Sequence, residues 1–225
     1  MRVGDKSTVL VTGGTTRLGL AISEHLRQIG WRVLTSSHRA DAGADIVADL
    51  SKPMGAANLY AAALGALGGE PPDALVNNAA LFVGDDAAVE AVNLTAPQKL
   101  TVLMAGRETG RGAVVNIHDA AILSSPGLSD SPTNASPRYA VTKRGLLEYT
   151  MKSAVMFADT LCVNAVAPGS VFAPVGVHEK AGETFIGRPT PEAVAKAVAF
   201  LLDADSTTGA VIPVDGGQHL VHFST

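Results

Sequence analysis

A short apolar run, Val9-Leu10-Val11, breaks directly into Thr12-Gly13-Gly14-Thr15-Thr16-Arg17-Leu18-Gly19 and continues as an amphipathic segment. This succession of strand, glycine turn and helix start constrains the chain more than any other feature. Glycine admits the backbone conformations of a tight turn. Such a turn aims backbone N–H groups and the positive end of a helix at an anion such as a pyrophosphate. A glycine pair alone marks many ordinary turns, so the flanking strand and helix carry the weight.

The same alternation continues along the sequence. Leu18, Ile22, Leu26 and Ile29 share one face of an expected helix over 18–29, which Gly30 ends. Strands are expected at 8–11, 32–35, 45–47, 74–76, 113–117, 161–166 and 210–214. Between them fall helices over 56–67, 87–107, 138–157 and 191–202, the last with Thr190 as N-cap and Pro191 at its first position. Residues 39–44 are too few for the crossover helix that should join the second and third strands. Short apolar strands alternating with helices predict an α/β fold. The expected form is one Rossmann-type domain over 1–225, a doubly wound parallel sheet with helices on both faces. The Ser- and Pro-rich stretch 124–137 is expected to form a long ordered loop beside the site.

Composition narrows the partners. Hydrophobic residues make up 47% of the chain but aromatics only 4%, so the core is built from Ala, Val, Leu and Ile. A net charge of −4 argues against nucleic acid or an acidic membrane surface as a partner. The single cysteine, Cys162, excludes an intramolecular disulfide and, lying in an apolar run, reads as a core residue in a reducing cytosol. No apolar h-region precedes a cleavage site and no stretch reaches membrane-span length, so a cytoplasmic protein with no membrane contact is expected. The six histidines are scattered without a ligand-like cluster, and no metal is expected.

Two features carry chemistry. Tyr139 and Lys143 are four residues apart in an expected helix and share a face. An ammonium beside the phenol is expected to lower its pKa from about 10 and so tune a proton donor for a reduction. The second strand ends Thr35-Ser36-Ser37-His38-Arg39, offering hydroxyls and cations where an NAD site usually places a carboxylate. Ser37, His38 and Arg39 suit a ribose 2′-phosphate, so NADPH is the expected cofactor.

With these residues stand Asp49-Leu50 after the third strand, Asn77-Asn78-Ala79 after the fourth, Asn93, Pro168-Gly169-Ser170 after the sixth and Asp215-Gly216-Gly217 near the end. In this arrangement the chain resembles the short-chain dehydrogenase/reductase family over essentially its whole length. Within the family it is most similar to the pteridine reductases. Arg17 replaces the usual middle glycine of the turn, and the second strand ends in His38-Arg39. Asp119 stands where most of the wider family has a catalytic serine, and Phe82 where pteridine reductases stack an aromatic ring on the pterin. Three departures stand out. Asp119 and Tyr139 are twenty residues apart where the family norm is nearer thirteen, Ala80 replaces the usual glycine (serine in pteridine reductases) after Asn-Asn-Ala, and the substrate lid at 172–189 is short.

The resemblance implies roles. Tyr139 would supply the proton, and Lys143 would hydrogen-bond the nicotinamide ribose. Asp119 would bond Tyr139 or the substrate, and must be protonated or act through water because a carboxylate repels a phenolate; holding a strand-end N–H is its other reading. Asn93 would kink its helix and support a water near Lys143. Gly13, Thr15, Arg17 and Leu18 would face the pyrophosphate. Asp49, Leu50, Asn78, Ala79, Pro168, Gly169 and Ser170 would also bind the cofactor. Arg17 would also reach the substrate, and Phe82 would stack on it. His118, by strand alternation, should point to the opposite face from Asp119. The favoured activity is NADPH-dependent reduction of a dihydropterin or dihydrofolate. A carbonyl or 3-oxoacyl reductase and a non-catalytic NADP-binding sensor both stay open. Alanine-rich faces on the helices at 87–107 and 138–157, with the resemblance, imply a homotetramer or homodimer, and the tail from His219 is expected to contact a neighbour's site.

Overall fold

The computed structural model describes residues 7–108, 110–123, 137–172 and 184–223. The Ser- and Pro-rich stretch at 124–136, most of the expected lid (173–183) and the last two residues of the tail lie outside this set. Seven parallel strands form one sheet: β1 (Thr8–Thr12), β2 (Arg32–Ser37), β3 (Ile46–Val47), β4 (Ala74–Asn77), β5 (Gly112–Ile117), β6 (Leu161–Pro168) and β7 (Val211–Val214). Their order is β3-β2-β1-β4-β5-β6-β7, with parallel register throughout, for example Leu10 beside Leu34 and Leu75. The expected doubly wound α/β sheet is therefore present. Strand order reverses between β1 and β4, the switch point where such sheets open a crevice at their carboxyl ends.

Residues alternate between two buried layers, as a sheet covered on both faces requires. Leu10, Leu75, Val114 and Val163 pack into the core beneath α2 (Gly55–Ala66), α4 (Ala96–Ala105) and α5 (Pro137–Met156). Val9, Val11, Val76, Val115 and Val166 pack oppositely, beneath α1 (Arg17–Gln28) and α6 (Pro191–Asp203). Cys162, on β6, is buried as expected. Helix α6 starts as its sequence dictates, with the Thr190 hydroxyl accepting from Ala193 N at 3.2 Å and Pro191 at the first position. Ile22 and Leu26 are fully buried on α1, whereas Ile29 has left the helix as its C-cap and is about half exposed (49%). Between β2 and β3 the chain makes only a short 3₁₀ turn, Ala40–Ala42.

The helix expected over 87–107 is broken. It begins as α3 (Asp86–Glu90), with Asp85 capping Ala88 N, widens into a π-turn over Ala91–Thr95, and continues as α4. Pro97 is the physical reason. It has no N–H for the Asn93 carbonyl four residues back, and its ring would strike that carbonyl. The local bond therefore runs from Ala96 N to Ala91 O, one residue longer than an α-helical bond. The widening turns Asn93 inward, where it is 1% exposed.

At the first turn, Gly19 lets α1 sit against the loop it follows. A Cβ there would lie 2.0 Å from the Gly13 carbonyl oxygen and 2.5 Å from Asn78 Nδ2. Gly19→Ala must push the helix off the turn, and overpacking of this kind costs about 1–3 kcal/mol. We expect its melting temperature to fall by roughly 4–10 °C, with cofactor affinity falling in parallel. Thermal denaturation with and without NADPH measures both; an unchanged melting temperature would rule out this packing.

Candidate active site

The predicted site residues all lie at or just beyond the carboxyl ends of the strands, except Asn93, Tyr139 and Lys143, which helices bring to the same edge. Gly13 and Thr15 lie in the turn after β1, and Leu18 in the first turn of α1. Ser37 ends β2 and His38 and Arg39 follow it, Asp49 and Leu50 follow β3, and Asn78 and Ala79 follow β4. Pro168 ends β6 and leads into Gly169 and Ser170.

The turn after β1 is bound to β4 across the switch point. The Thr12 hydroxyl accepts from the backbone N–H groups of Asn78 (2.9 Å) and Ala79 (3.0 Å). Asn78 Nδ2 returns a bond to the Thr12 carbonyl at 2.9 Å. The N-cap of α1, Thr16, makes no side-chain cap, and no acidic residue stands in the first turn. The helix therefore presents its amide donors and positive end to the cleft. Glycine packing too close for any side chain, and a helix end without a competing anion, together fit a dinucleotide pyrophosphate.

Arg17 is the only described non-glycine residue with positive φ, at 49°. The position that carries glycine in most of the wider family keeps a glycine-like backbone here, at a cost of about 1–2 kcal/mol for an L-residue. Its guanidinium lies 4.8 Å from the centroid of the Phe172 ring, bridging the turn after β1 to the loop after β6. Beyond β2, Arg39 forms a two-bond pair with Asp41 (3.0 and 2.8 Å), and the Ser37 hydroxyl accepts Arg39 N at 3.1 Å. Both side chains of that pair are largely exposed, so it competes little with a phosphate. Asp49 holds Ser51 through its backbone N–H (2.9 Å) and hydroxyl (2.6 Å), which lowers the carboxyl pKa. Leu50 is buried in the core.

The reactive cluster forms around α5. Tyr139 Oη donates to Asp119 Oδ2 at 2.9 Å, although twenty residues separate the pair. The Phe82 ring stacks on the Tyr139 ring, with centroids 4.7 Å apart and planes at 20°. Phe82 itself is 50% exposed while Tyr139 is 3% exposed, so the phenylalanine covers the tyrosine from the solvent side. Lys143 is fully buried, its Nζ 5.7 Å from the Tyr139 ring centroid and donating to the Ile117 carbonyl at 2.8 Å.

This geometry corrects the expected electrostatics. Burial, and after it the charge and hydrogen bond of Asp119, push the Tyr139 pKa well above 10 rather than below it. The ammonium does not reverse this, and Lys143 is itself lowered to about 8 by burial, with Asp119 opposing. The phenol is consequently a firmly held proton, donated to a carboxylate that accepts it.

Two further expectations are revised. Asn93 lies inside the turn that Pro97 widens, and its side chain is directed to Leu81 rather than toward Lys143. It accepts Leu81 N at 2.8 Å, donates to Leu81 O at 2.9 Å and reaches the Thr142 hydroxyl at 3.4 Å. His118 does not face away from Asp119's side of the sheet. The strand ends at Ile117 and the chain enters a 3₁₀ turn at Ala120, so alternation no longer governs Asp119. Both residues reach α5, Asp119 at Tyr139 and His118 at Thr150 (Nε2 to Oγ1, 3.2 Å). The single Thr150 proton goes to the Leu146 carbonyl at 2.8 Å, so His118 Nε2 donates and Nδ1 is the bare nitrogen. Asn116 also donates to Thr150, at 2.9 Å, and receives from Asn77 at 2.8 Å. Sequence reasoning missed this buried polar chain because the contacts that join Asn77, Asn116, His118 and Thr150 all link residues distant in sequence.

A family model described as short chain dehydrogenase matches residues 7–183. The chain belongs to the short chain dehydrogenase family of oxidoreductases. Glucose 1-dehydrogenase 2 of Bacillus subtilis is 29% identical over 249 residues, covering 95% of each protein. D-beta-hydroxybutyrate dehydrogenase of Rhizobium meliloti is 28% identical over 260 residues, covering 93% of this chain and 97% of that protein. Among solved structures, FolM alternative dihydrofolate reductase 1 from Brucella canis, complexed with NADP, superposes with a TM-score of 0.81 at 29% identity. That match covers 95% of this chain and 94% of the other. Among the described residues no group of three or more His, Cys, Asp or Glu side chains gathers to hold a metal, and no helix is long and apolar enough to cross a membrane.

His118 gives this subsection its test. Burial, then the Lys143 charge, lowers its pKa to about 3. The unfolded state therefore binds a proton that the folded state refuses between about pH 6.5 and 3, so stability must fall as pH falls through that window. Between pH 6.5 and 4.5 the loss attributable to His118 is about 2–3 kcal/mol, at 1.36 kcal/mol per unit. Urea unfolding of wild type and His118→Gln at the two pH values isolates it. The variant should show a markedly flatter dependence, and equal slopes would place the acid sensitivity elsewhere.

Proposed function

We propose that this protein is an NADPH-dependent reductase whose substrate is a dihydropterin or dihydrofolate-like ring, with Tyr139 as proton donor. The observation that carries the reading is the trio at the carboxyl edge: Tyr139 hydrogen-bonded to Asp119 and covered by the aromatic face of Phe82. NADPH, when bound, supplies the hydride to a C=N carbon of the substrate. Tyr139 gives the proton to the nitrogen, completing a two-electron reduction. A raised pKa keeps Tyr139 in its acid form at every working pH, which is the form a reduction needs. Lys143, in line with the family, would hold the nicotinamide ribose after leaving the Ile117 carbonyl. Arg17 and the glycine turn would take the pyrophosphate, with Ser37, His38 and Arg39 at the 2′-phosphate and Asp49, Leu50, Asn78 and Ala79 near the adenine. Pro168, Gly169 and Ser170 would border the nicotinamide. Asn93 acts at one remove, as a positioning residue that fixes the backbone at Leu81, next to Phe82.

The likeness to FolM, solved with NADP, supports both the cofactor and the substrate class. A second reading is a carbonyl reductase, favoured by the glucose and hydroxybutyrate dehydrogenases among the relatives. Asp119 would then occupy the position of serine and Phe82 would serve as a wall. Exposed Val102 on α4 and Val141, Met151 and Val155 on α5 offer apolar faces for pairing with further copies of the chain, as a homotetramer or homodimer would need, and the single Cys162 suits a cytoplasmic setting.

NADPH oxidation by purified protein, with dihydrobiopterin or dihydrofolate beside an acetoacetyl thioester, separates the readings. Pterin-dependent oxidation is expected, lowered by about 10²–10⁴-fold in Tyr139→Phe, with NADH a poorer donor than NADPH. Phe82→Ala should raise KM for the pterin several-fold. Turnover of the thioester alone would replace the pterin reading with the carbonyl one. Tight NADPH binding without turnover of any substrate would leave a sensor.

A further inference from the structure

Where the chain leaves β7 it forms a turn for which the chemistry above has no use. Asp215 is 3% exposed, yet its carboxylate accepts three N–H groups. Gly217 N reaches Oδ1 at 2.9 Å, and His219 N (2.8 Å) and His219 Nδ1 (2.6 Å) both reach Oδ2. The two backbone bonds would close the turn by themselves. The third fixes an imidazole. To donate to a carboxylate, Nδ1 must carry the proton, so Nε2 is the nitrogen available to another group. The side chain of His219 is 22% exposed, open enough for that group to be a ligand.

The turn is held tightly and borders the cleft. Gly216 and Gly217 have φ of 66° and 86°, and Cβ atoms there would lie 2.0 Å from the Gly187 carbonyl oxygen and 2.7 Å from Phe185 Cδ2. Phe185 N donates to the Gly216 carbonyl at 2.8 Å, so residues 184–187 clamp the turn from outside. On the inner side, Gln218 Oε1 accepts Ser170 N at 3.4 Å, and Gly169 leaves only enough room for the Asp215 backbone. The 3₁₀ segment Gln218–Phe223 packs on Ala120–Leu123, the residues that follow Asp119. The turn that carries this imidazole of fixed tautomer therefore touches both the segment that follows Asp119 and the loop at Ser170.

We propose that His219 is a specificity-determining residue whose Nε2 accepts a hydrogen bond from an N–H or O–H group on the substrate, remote from the reacting carbon. The proposal rests on the reductase reading of the cleft and deepens it. It assigns recognition of a substrate bearing amino or hydroxyl groups on its periphery to this subunit's own terminal turn, with Asp215 as the residue that positions the ring.

Histidine ¹⁵N NMR on the full chain tests it, with His219 assigned by the signal lost in His219→Phe. Nδ1 should appear protonated in the free protein. Nε2 should shift when dihydrobiopterin is added to the NADP⁺ complex and stay in place with NADP⁺ alone. In kinetics, His219→Phe should raise KM for dihydrobiopterin by roughly tenfold, the loss of one hydrogen bond, with kcat within about twofold and NADPH affinity unchanged. His219→Gln, which keeps an acceptor oxygen, should recover much of that KM. An unmoved Nε2 signal with pterin bound would overturn the proposal, as would equal losses of kcat and NADPH affinity in both variants. Absence of pterin turnover in wild type would instead sink the pterin reading. The Nε2 shift on adding whichever substrate is turned over then decides His219, upheld by a shift and overturned by none.

Discussion

The structure depends on one constraint: all seven strands are parallel, so every strand delivers its carboxyl end to a single edge. Hydrogen-bonding a parallel ladder requires a crossover after each strand, and the crossover helices cover both faces. The loops that leave β1, β4, β5 and β6 are thereby gathered beside the switch point before any side chain takes part. Thr12 and Asn78 then bind the two halves at that point, through bonds of 2.9–3.0 Å that join the first glycine turn to the loop after β4. Chemistry is added by one helix, α5, whose inward face carries Tyr139, Lys143, Leu146 and Thr150 at helical spacing.

What the sequence discloses and what it withholds divide along a physical line. Apolar runs such as Val9–Val11 and Ala74–Val76, the Thr190-Pro191 helix start and the Tyr139–Lys143 spacing are local patterns, and the sheet order follows from them together with the crossover rule. The break at Ala91–Thr95 was written in the sequence too, as Pro97 standing four residues after Asn93, a signal that alanine-rich periodicity conceals. The electrostatics at Tyr139 could not be read locally, because the largest contribution is burial, and burial depends on Phe82 from one loop and Asp119 from another. Alternation does not separate His118 from Asp119 because the strand ends at Ile117, before either residue. Asp215 and His219 stood visibly four apart around a glycine pair, but only folding shows that the carboxylate is buried and faces the ring.

The charges near Tyr139 form a balanced set. Donating the phenolic proton would leave a phenolate 2.9 Å from Asp119, an arrangement that like charge makes costly. Lys143 is the compensating cation: fully buried and within 6 Å of the ring, it is weakly screened by water. Its lowered pKa, about 8, still leaves it charged at neutral pH and brings it within reach of losing a proton. On the proposed reading the phenol is thus a donor only while the ammonium is present to receive the charge it creates. A neutral Lys143 would strand a phenolate beside a carboxylate, so the two residues act as one acid and not as an acid with a helper.

Arg17 carries the same reasoning by a different route. Its backbone occupies the left-handed region, its charge opens a helix whose N-terminus repels cations, and its guanidinium rests on Phe172 across the cleft. The first two are costs, and the cation–π contact offsets them only in part, being worth about 0.5–1 kcal/mol at an exposed site. A pyrophosphate at the same place would remove the electrostatic cost outright and add charge-assisted bonds from the guanidinium. Glycine at this position would have avoided both costs, and the turn would still form. On the proposed reading, an arginine held there against local preference is explained by the pyrophosphate, and strain of this kind points to a ligand.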